Sequence, residues 1–136
     1  MDETNADVLP GEFTLRLPAA VESARLARAR LRELLAQLRS TGDVAREAEL
    51  VLHELVMNGV VHGAPDSDGM VEIVCAVEPG GLLIRVHDSG SGGDVAVRPP
   101  TDHLPSGRGL AMLAALSSSW AVDRSNGTTV SARLEL

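Results

Sequence analysis

At 136 residues the chain is long enough for one domain with a substantial core, and 44% hydrophobic with 23% charged residues is ordinary for a soluble globular protein. A formal net charge of −7 at pH 7 argues against nucleic acid as a partner, because neutralising phosphates takes a basic surface. Lysine is absent and all twelve basic side chains are arginine, which excludes a P-loop lysine and any Schiff-base chemistry.

Residues 1–11 are polar, carry three acids and end in Pro10-Gly11; they read as a flexible tail ahead of a single domain over residues 12–136. The acidic start is unlike a secretory leader and no stretch approaches about eighteen apolar residues, so a cytoplasmic protein without membrane contact is expected. Phe13, Leu15 and Leu17 alternate with Thr14 and Arg16, the pattern of a half-buried strand. Pro18 suits the first turn of a following helix. Ala20, Ala24, Ala27, Leu31, Leu34, Leu35 and Leu38 then recur at helical spacing, with Arg and Glu opposite. Ser40-Thr41-Gly42-Asp43 ends that helix and caps a second, which stops near Gly63-Ala64-Pro65.

Val71, Ile73, Cys75 and Val77 line one face of a strand, Glu78-Pro79-Gly80-Gly81 turns the chain, and Leu82, Ile84 and Val86 continue the alternation. Cys75 is the sole cysteine, so no internal disulfide forms; it reads as inert core in a reducing compartment. Residues 89–106 are loop-like, with glycines, prolines and no periodicity. A short apolar helix from about Gly109 to Leu116 leads to a strand begun by Trp120 and Val122. Ser125-Asn126-Gly127 turns it, and Val130, Ala132 and Leu134 close the chain. With one Phe, one Trp and no Tyr the core must be aliphatic, and Trp120 reads as packing. The order β-α-α-β-β-α-β-β, with one apolar and one polar face on nearly every strand, predicts an α/β (α+β) two-layer sandwich. Its sheet is mainly antiparallel and mixed, covered on one face by about three helices.

Four constellations could carry chemistry. Glu54, Asn58 and His62 stand four residues apart and share one helical stripe. They form either a solvent-facing polar stripe or a carboxylate–amide pair able to hold hydrated Mg²⁺ or poise a proton transfer. Asp88 shares the inward face of Leu82, Ile84 and Val86. It either caps the turn Ser89-Gly90 or accepts from a ligand amine, with Gly90 and Gly92 opening the backbone to a planar group. Gly107-Arg108-Gly109-Leu110 is either a glycine-rich helix entry or an anion site of free amides, to which Arg108 adds charge. Thr128 falls inward with Val130 and Ala132, either for β-propensity or to orient a water or a ring nitrogen beside Asp88; Thr129 points outward. His53, His87 and His103 lack the companion spacing of a zinc site.

In chain order, Glu54-x-x-x-Asn58-x-x-x-His62-Gly63, Asp88-x-Gly90-x-Gly92, Gly107-x-Gly109-Leu110 and Gly127-Thr128 resemble the N, G1, G2 and G3 boxes of the GHKL ATPase superfamily. The element order agrees with its Bergerat fold over about residues 12–136. Within that superfamily the chain is similar to the anti-sigma-factor, serine-kinase-like ATP-binding proteins of Gram-positive bacteria. Its Ser106-Gly107-Arg108-Gly109-Leu110 segment is like that of actinobacterial members.

The resemblance implies ATP and Mg²⁺ as cofactors. Asn58 would coordinate Mg²⁺ and Glu54 would act as general base. Asp88 would accept from the adenine amino group, with Thr128 helping through water. Gly90 and Gly92 would shape the adenine pocket, and Gly107, Arg108, Gly109 and Leu110 would enclose the phosphates under a lid. Three features depart from the pattern: Gly59 stands where many relatives have alanine, the lid is short, and arginine or Mg²⁺ must do without lysine. The implied function is an anti-sigma factor with ATP-dependent serine/threonine kinase activity toward a STAS-type anti-anti-sigma antagonist. Its partners would be that antagonist and a sigma factor, and relatives are commonly homodimers. The alternative is a catalytically weak or inactive nucleotide-sensing module that sequesters a regulatory partner.

Overall fold

The computed structural model describes residues 11–40, 42–61, 69–88 and 107–136. Five strands, β1 (Glu12–Pro18), β2 (Met70–Glu78), β3 (Gly81–Asp88), β4 (Ser119–Asp123) and β5 (Thr128–Glu135), form one sheet in the order β1-β2-β3-β5-β4. The helices are α1 (Val21–Gln37), α2 (Asp43–Val61) and α3 (Gly107–Leu116). The element order is the one the periodicity predicts, and the mainly antiparallel sheet expected has all four of its strand pairs antiparallel. Among the described residues no helix is long and apolar enough to cross a membrane.

The period of two decides which side chains meet the helices. Val71, Ile73 and Cys75 of β2, Leu82, Ile84 and Val86 of β3, and Val130, Ala132 and Leu134 of β5 form three buried rows. Onto them α1 brings Ala24, Ala27, Leu31, Leu34 and Leu35, and α2 brings Ala48, Val51, Leu52, Leu55 and Val56. Phe13 is the one aromatic in this core, and the Arg30 guanidinium lies 4.9 Å from its ring centroid, a cation–π contact between α1 and β1. Arg32 grips Glu49 through Nε (3.2 Å) and a terminal nitrogen (2.8 Å), joining α1 to α2 at an exposed position. Such a pair contributes no more than about 1 kcal/mol, so burial sets the helix positions.

Several boundaries differ from the sequence expectation. Pro18 ends β1 opposite Met70 instead of opening a helix; β1 is an edge strand, where a missing N–H costs no ladder bond. Ala20 is the N-cap of α1, and Ser23 Oγ donates to the Pro18 carbonyl at 2.5 Å. Leu38 is the C-cap and 38% exposed, outside the buried stripe. Arg39, at φ 58°, closes α1 with paired bonds from Arg39 N to Ala36 O (3.0 Å) and Ser40 N to Leu35 O (2.9 Å). Trp120 stands 36% exposed on edge strand β4, so it contributes less to packing than its size suggests.

Two turns hold the central strands in register. In the β2–β3 hairpin Gly80 takes φ 70°, and Arg133 of β5 donates to Glu78 Oε1 (3.1 Å) and to the Pro79 carbonyl (2.8 Å). A Cβ at Gly81 would meet that guanidinium at 2.5 Å, so the clasp depends on a bare backbone there. Between β4 and β5, Asp123 accepts from Ser125 N (2.8 Å) and Ser125 Oγ (2.7 Å), which holds its carboxyl below the usual range. Gly127, at φ 69°, then delivers the chain to Thr128.

Candidate functional site

At the end of β3 the inward row Leu82, Ile84, Val86 terminates in Asp88, which is 4% exposed. Its Cα partner on β5 is Thr128, 1% exposed, so the carboxylate and the hydroxyl occupy the last rung of the β3–β5 ladder. Among the described residues, buried Thr128 Oγ1 has no hydrogen-bond partner. A buried hydroxyl left unpaired costs about 1–3 kcal/mol, so this one calls for a partner. The sequence placed both residues on the covered face; their direct opposition comes from the pairing of β3 with β5.

The third side chain arrives on α2. Its buried stripe continues from Val56 to Gly59, where an added Cβ would sit 3.4 Å from Val86 Cγ1. This close approach of the Gly59 backbone to Val86 brings α2 beside the end of β3. Asn58, the neighbour of Gly59, is 6% exposed, and Glu54 lies half-buried one turn earlier. The space at Gly59 would admit alanine at ordinary contact distance, so the departure at this position is not forced by packing. His62, the third member of the stripe, lies outside the described residues.

The described residues bury four polar or charged side chains in all: Ser23, Asn58, Asp88 and Thr128. Ser23 is accounted for by the Pro18 carbonyl. The other three come from three different elements, which meet at one end of the sheet. Their chemistry is a hard oxygen donor, a carboxylate acceptor and a hydroxyl able to donate or accept, a set suited to a polar, metal-associated ligand.

Gly107, Arg108, Gly109 and Leu110 form the first turn of α3, the helix entry expected of them, and their side chains fall outside the description. Gly90 and Gly92, with the loop expected over residues 89–106, lie outside the described residues up to Gly107. A separate cavity of about 300 Å³ lies between α1 and α2, lined by Arg28, Arg46, Glu49, Leu50 and His53; it includes none of the predicted site residues. Sequence reasoning assigned His87 no task beyond excluding zinc. In the structure its Nδ1 shares a 2.7 Å hydrogen bond with Thr129 Oγ1, directly behind the Asp88–Thr128 rung. The signal was available, since each residue precedes or follows an inward site residue by one.

With this geometry in place, residues 17–134 match the family model of the histidine kinase-like ATPase domain. The chain belongs to that family. Anti-sigma F factors of Geobacillus stearothermophilus and Geobacillus kaustophilus are each 34% identical to it over 82 residues, 60% of this chain and 56% of theirs. The alignment therefore spans little more than half the length of those relatives. Among solved structures, the RsbU and RsbW domains of Rv1364c from Mycobacterium tuberculosis superpose with a TM-score of 0.72 and 26% identity, covering 92% of this chain and 32% of that one. The SiaB–SiaC complex from Pseudomonas aeruginosa gives a TM-score of 0.59 at 13% identity over 98% and 95% of the two chains, a likeness of fold alone. The family resemblance read from the sequence and the family match agree on a GHKL-type, histidine kinase-like ATPase domain, similar in sequence to anti-sigma F factors.

Proposed function

We propose that this ATPase domain binds ATP·Mg²⁺ at the Asn58–Asp88–Thr128 end of the sheet, and that it works as an anti-sigma factor that phosphorylates a serine or threonine on its antagonist. The observation that carries the reading is the last β3–β5 rung, where a buried carboxylate faces a buried hydroxyl, and that hydroxyl has no partner among the described residues. An adenine ring satisfies both, its exocyclic amine donating to Asp88 and a ring nitrogen or bridging water meeting Thr128. The family's name and the anti-sigma F relatives support the same reading.

When bound, ATP·Mg²⁺ supplies the phosphoryl group and a cation that offsets its charge. Asn58 offers its amide oxygen to the metal. Glu54, one helical turn earlier, takes the proton of the acceptor hydroxyl as that oxygen bonds to the γ-phosphorus and ADP departs. Gly107, Arg108, Gly109 and Leu110 close on the phosphates at the start of α3, with Arg108 in the part that lysine plays elsewhere. Gly90 and Gly92 would shape the adenine pocket. The phosphate added to the antagonist releases it by charge and bulk, leaving the domain free to hold a sigma factor in the cytoplasm.

Calorimetry with ATP and Mg²⁺ on the wild type and on Asp88→Asn tests the site. The amide presents its NH₂ to the adenine amine in one orientation and loses the charge in both, so affinity is expected to fall at least about tenfold. Unchanged affinity in Asp88→Asn would move the nucleotide elsewhere.

A further inference from the structure

We infer that His87 is a positioning residue for the nucleotide site: its hydrogen bond to Thr129 on the exposed face of the sheet fixes the spacing of Asp88 and Thr128 on the covered face. This deepens the ATP reading and rests on it. The last two rungs of the β3–β5 ladder are His87↔Thr129 and Asp88↔Thr128, after which the described pairing ends. Strand ends are where ladders open most readily, because no further rung holds them. Here the final rung carries the two groups whose separation must match a purine edge, while the rung before it carries a side-chain clasp at 2.7 Å. Alternation along a strand puts the clasp and the site on opposite faces, so His87 and Thr129 act without touching the ligand.

At the opposite end of β5, on the same face, a different clasp operates. There Arg133, whose Cα partner on β3 is Leu83, reaches past β3 to Glu78 at the end of β2 and to the Pro79 carbonyl of the β2–β3 turn. That clasp ties β5 to the β2–β3 hairpin, at the end of the sheet away from the candidate site. Around His87 on the exposed face, Glu72 is its Cα partner on β2 and Asp123 is the partner of Thr129 on β4; both are exposed. The side-chain bond between His87 and Thr129 joins β3 directly to β5.

The test is ATP affinity by calorimetry together with urea unfolding for the wild type and five variants. His87→Ala and Thr129→Val are each expected to weaken ATP binding about fivefold, the worth of one ordinary hydrogen bond. The double variant should be no weaker than either single one, because both remove the same bond. His87→Asn, whose amide can still meet Thr129 Oγ1, should restore affinity. Arg133→Ala should lower stability and leave ATP affinity at the wild-type value. Wild-type affinity in His87→Ala overturns the inference alone, as does a loss in Arg133→Ala equal to that in His87→Ala at matched stability. A wild type that binds no ATP removes the nucleotide reading and this inference with it.

Discussion

Cys75 faces the helices from the middle of β2 with no solvent exposure, and burial pushes its thiol up to about 12. The chain contains neither lysine nor tyrosine, so between about pH 9 and 12 this thiol is the one side chain expected to titrate. In that window the unfolded chain has lost the thiol proton and the folded chain keeps it. Stability is therefore full below about pH 9 and falls as pH rises, by about 1.4 kcal/mol per pH unit at the steepest. Urea midpoints measured across this range should show that slope in the wild type and lose it in Cys75→Val; a flat wild-type profile would contradict the burial argument. The same period-of-two count that puts Cys75 in the core puts Asp88 there, which is why both were legible as inward residues before any partner strand was known.

Among the elements, α1 shows where a residue-type signal misleads. Ser40-Thr41-Gly42 is a natural stop sequence, yet the helix ends at Gln37 and turns on Arg39 at φ 58°. The reversal is fixed by two backbone bonds to Ala36 and Leu35 and by the need to bring α2 back across the sheet, so an arginine is held where glycine is ordinarily found. Holding a side-chain-bearing residue in that region costs roughly 1 kcal/mol. Arg39→Gly is accordingly expected to stabilise the fold by about 0.5–1 kcal/mol, read as a higher urea midpoint with an unchanged slope. A lower midpoint would mean that the Arg39 side chain contributes more than its backbone strain. Pro18 gives the complementary case: its fixed φ suits a helix start or an edge strand equally, and only the pairing with β2 selects the strand.

For the molecule as a whole, the candidate site depends on α2, β3 and β5, separated in sequence, lying side by side. The proposed division of labour separates binding from chemistry: Asp88 and Thr128 hold the base, Asn58 the metal, and Glu54 acts on the acceptor. Glu54→Gln keeps the size and hydrogen-bonding capacity of the side chain but cannot take a proton. It should lower phosphate transfer to a cognate antagonist at least about a hundredfold and leave ATP affinity within about twofold. Wild-type transfer in this variant would refute the base assignment. ATP binding by the wild type with no transfer at all would instead identify a nucleotide-sensing module.

The sequence by itself determined the element order, the inward rows, the aliphatic core and the residue types at the site, because each depends on local periodicity and composition. Tertiary structure alone decided that β5 inserts between β3 and β4, which sets Thr128 against Asp88 and His87 against Thr129. Every strand here offers much the same apolar row, so alternation says which face a residue occupies and nothing about its neighbour across the ladder. That choice comes from how the helices can cover the sheet, a property of the assembled layers.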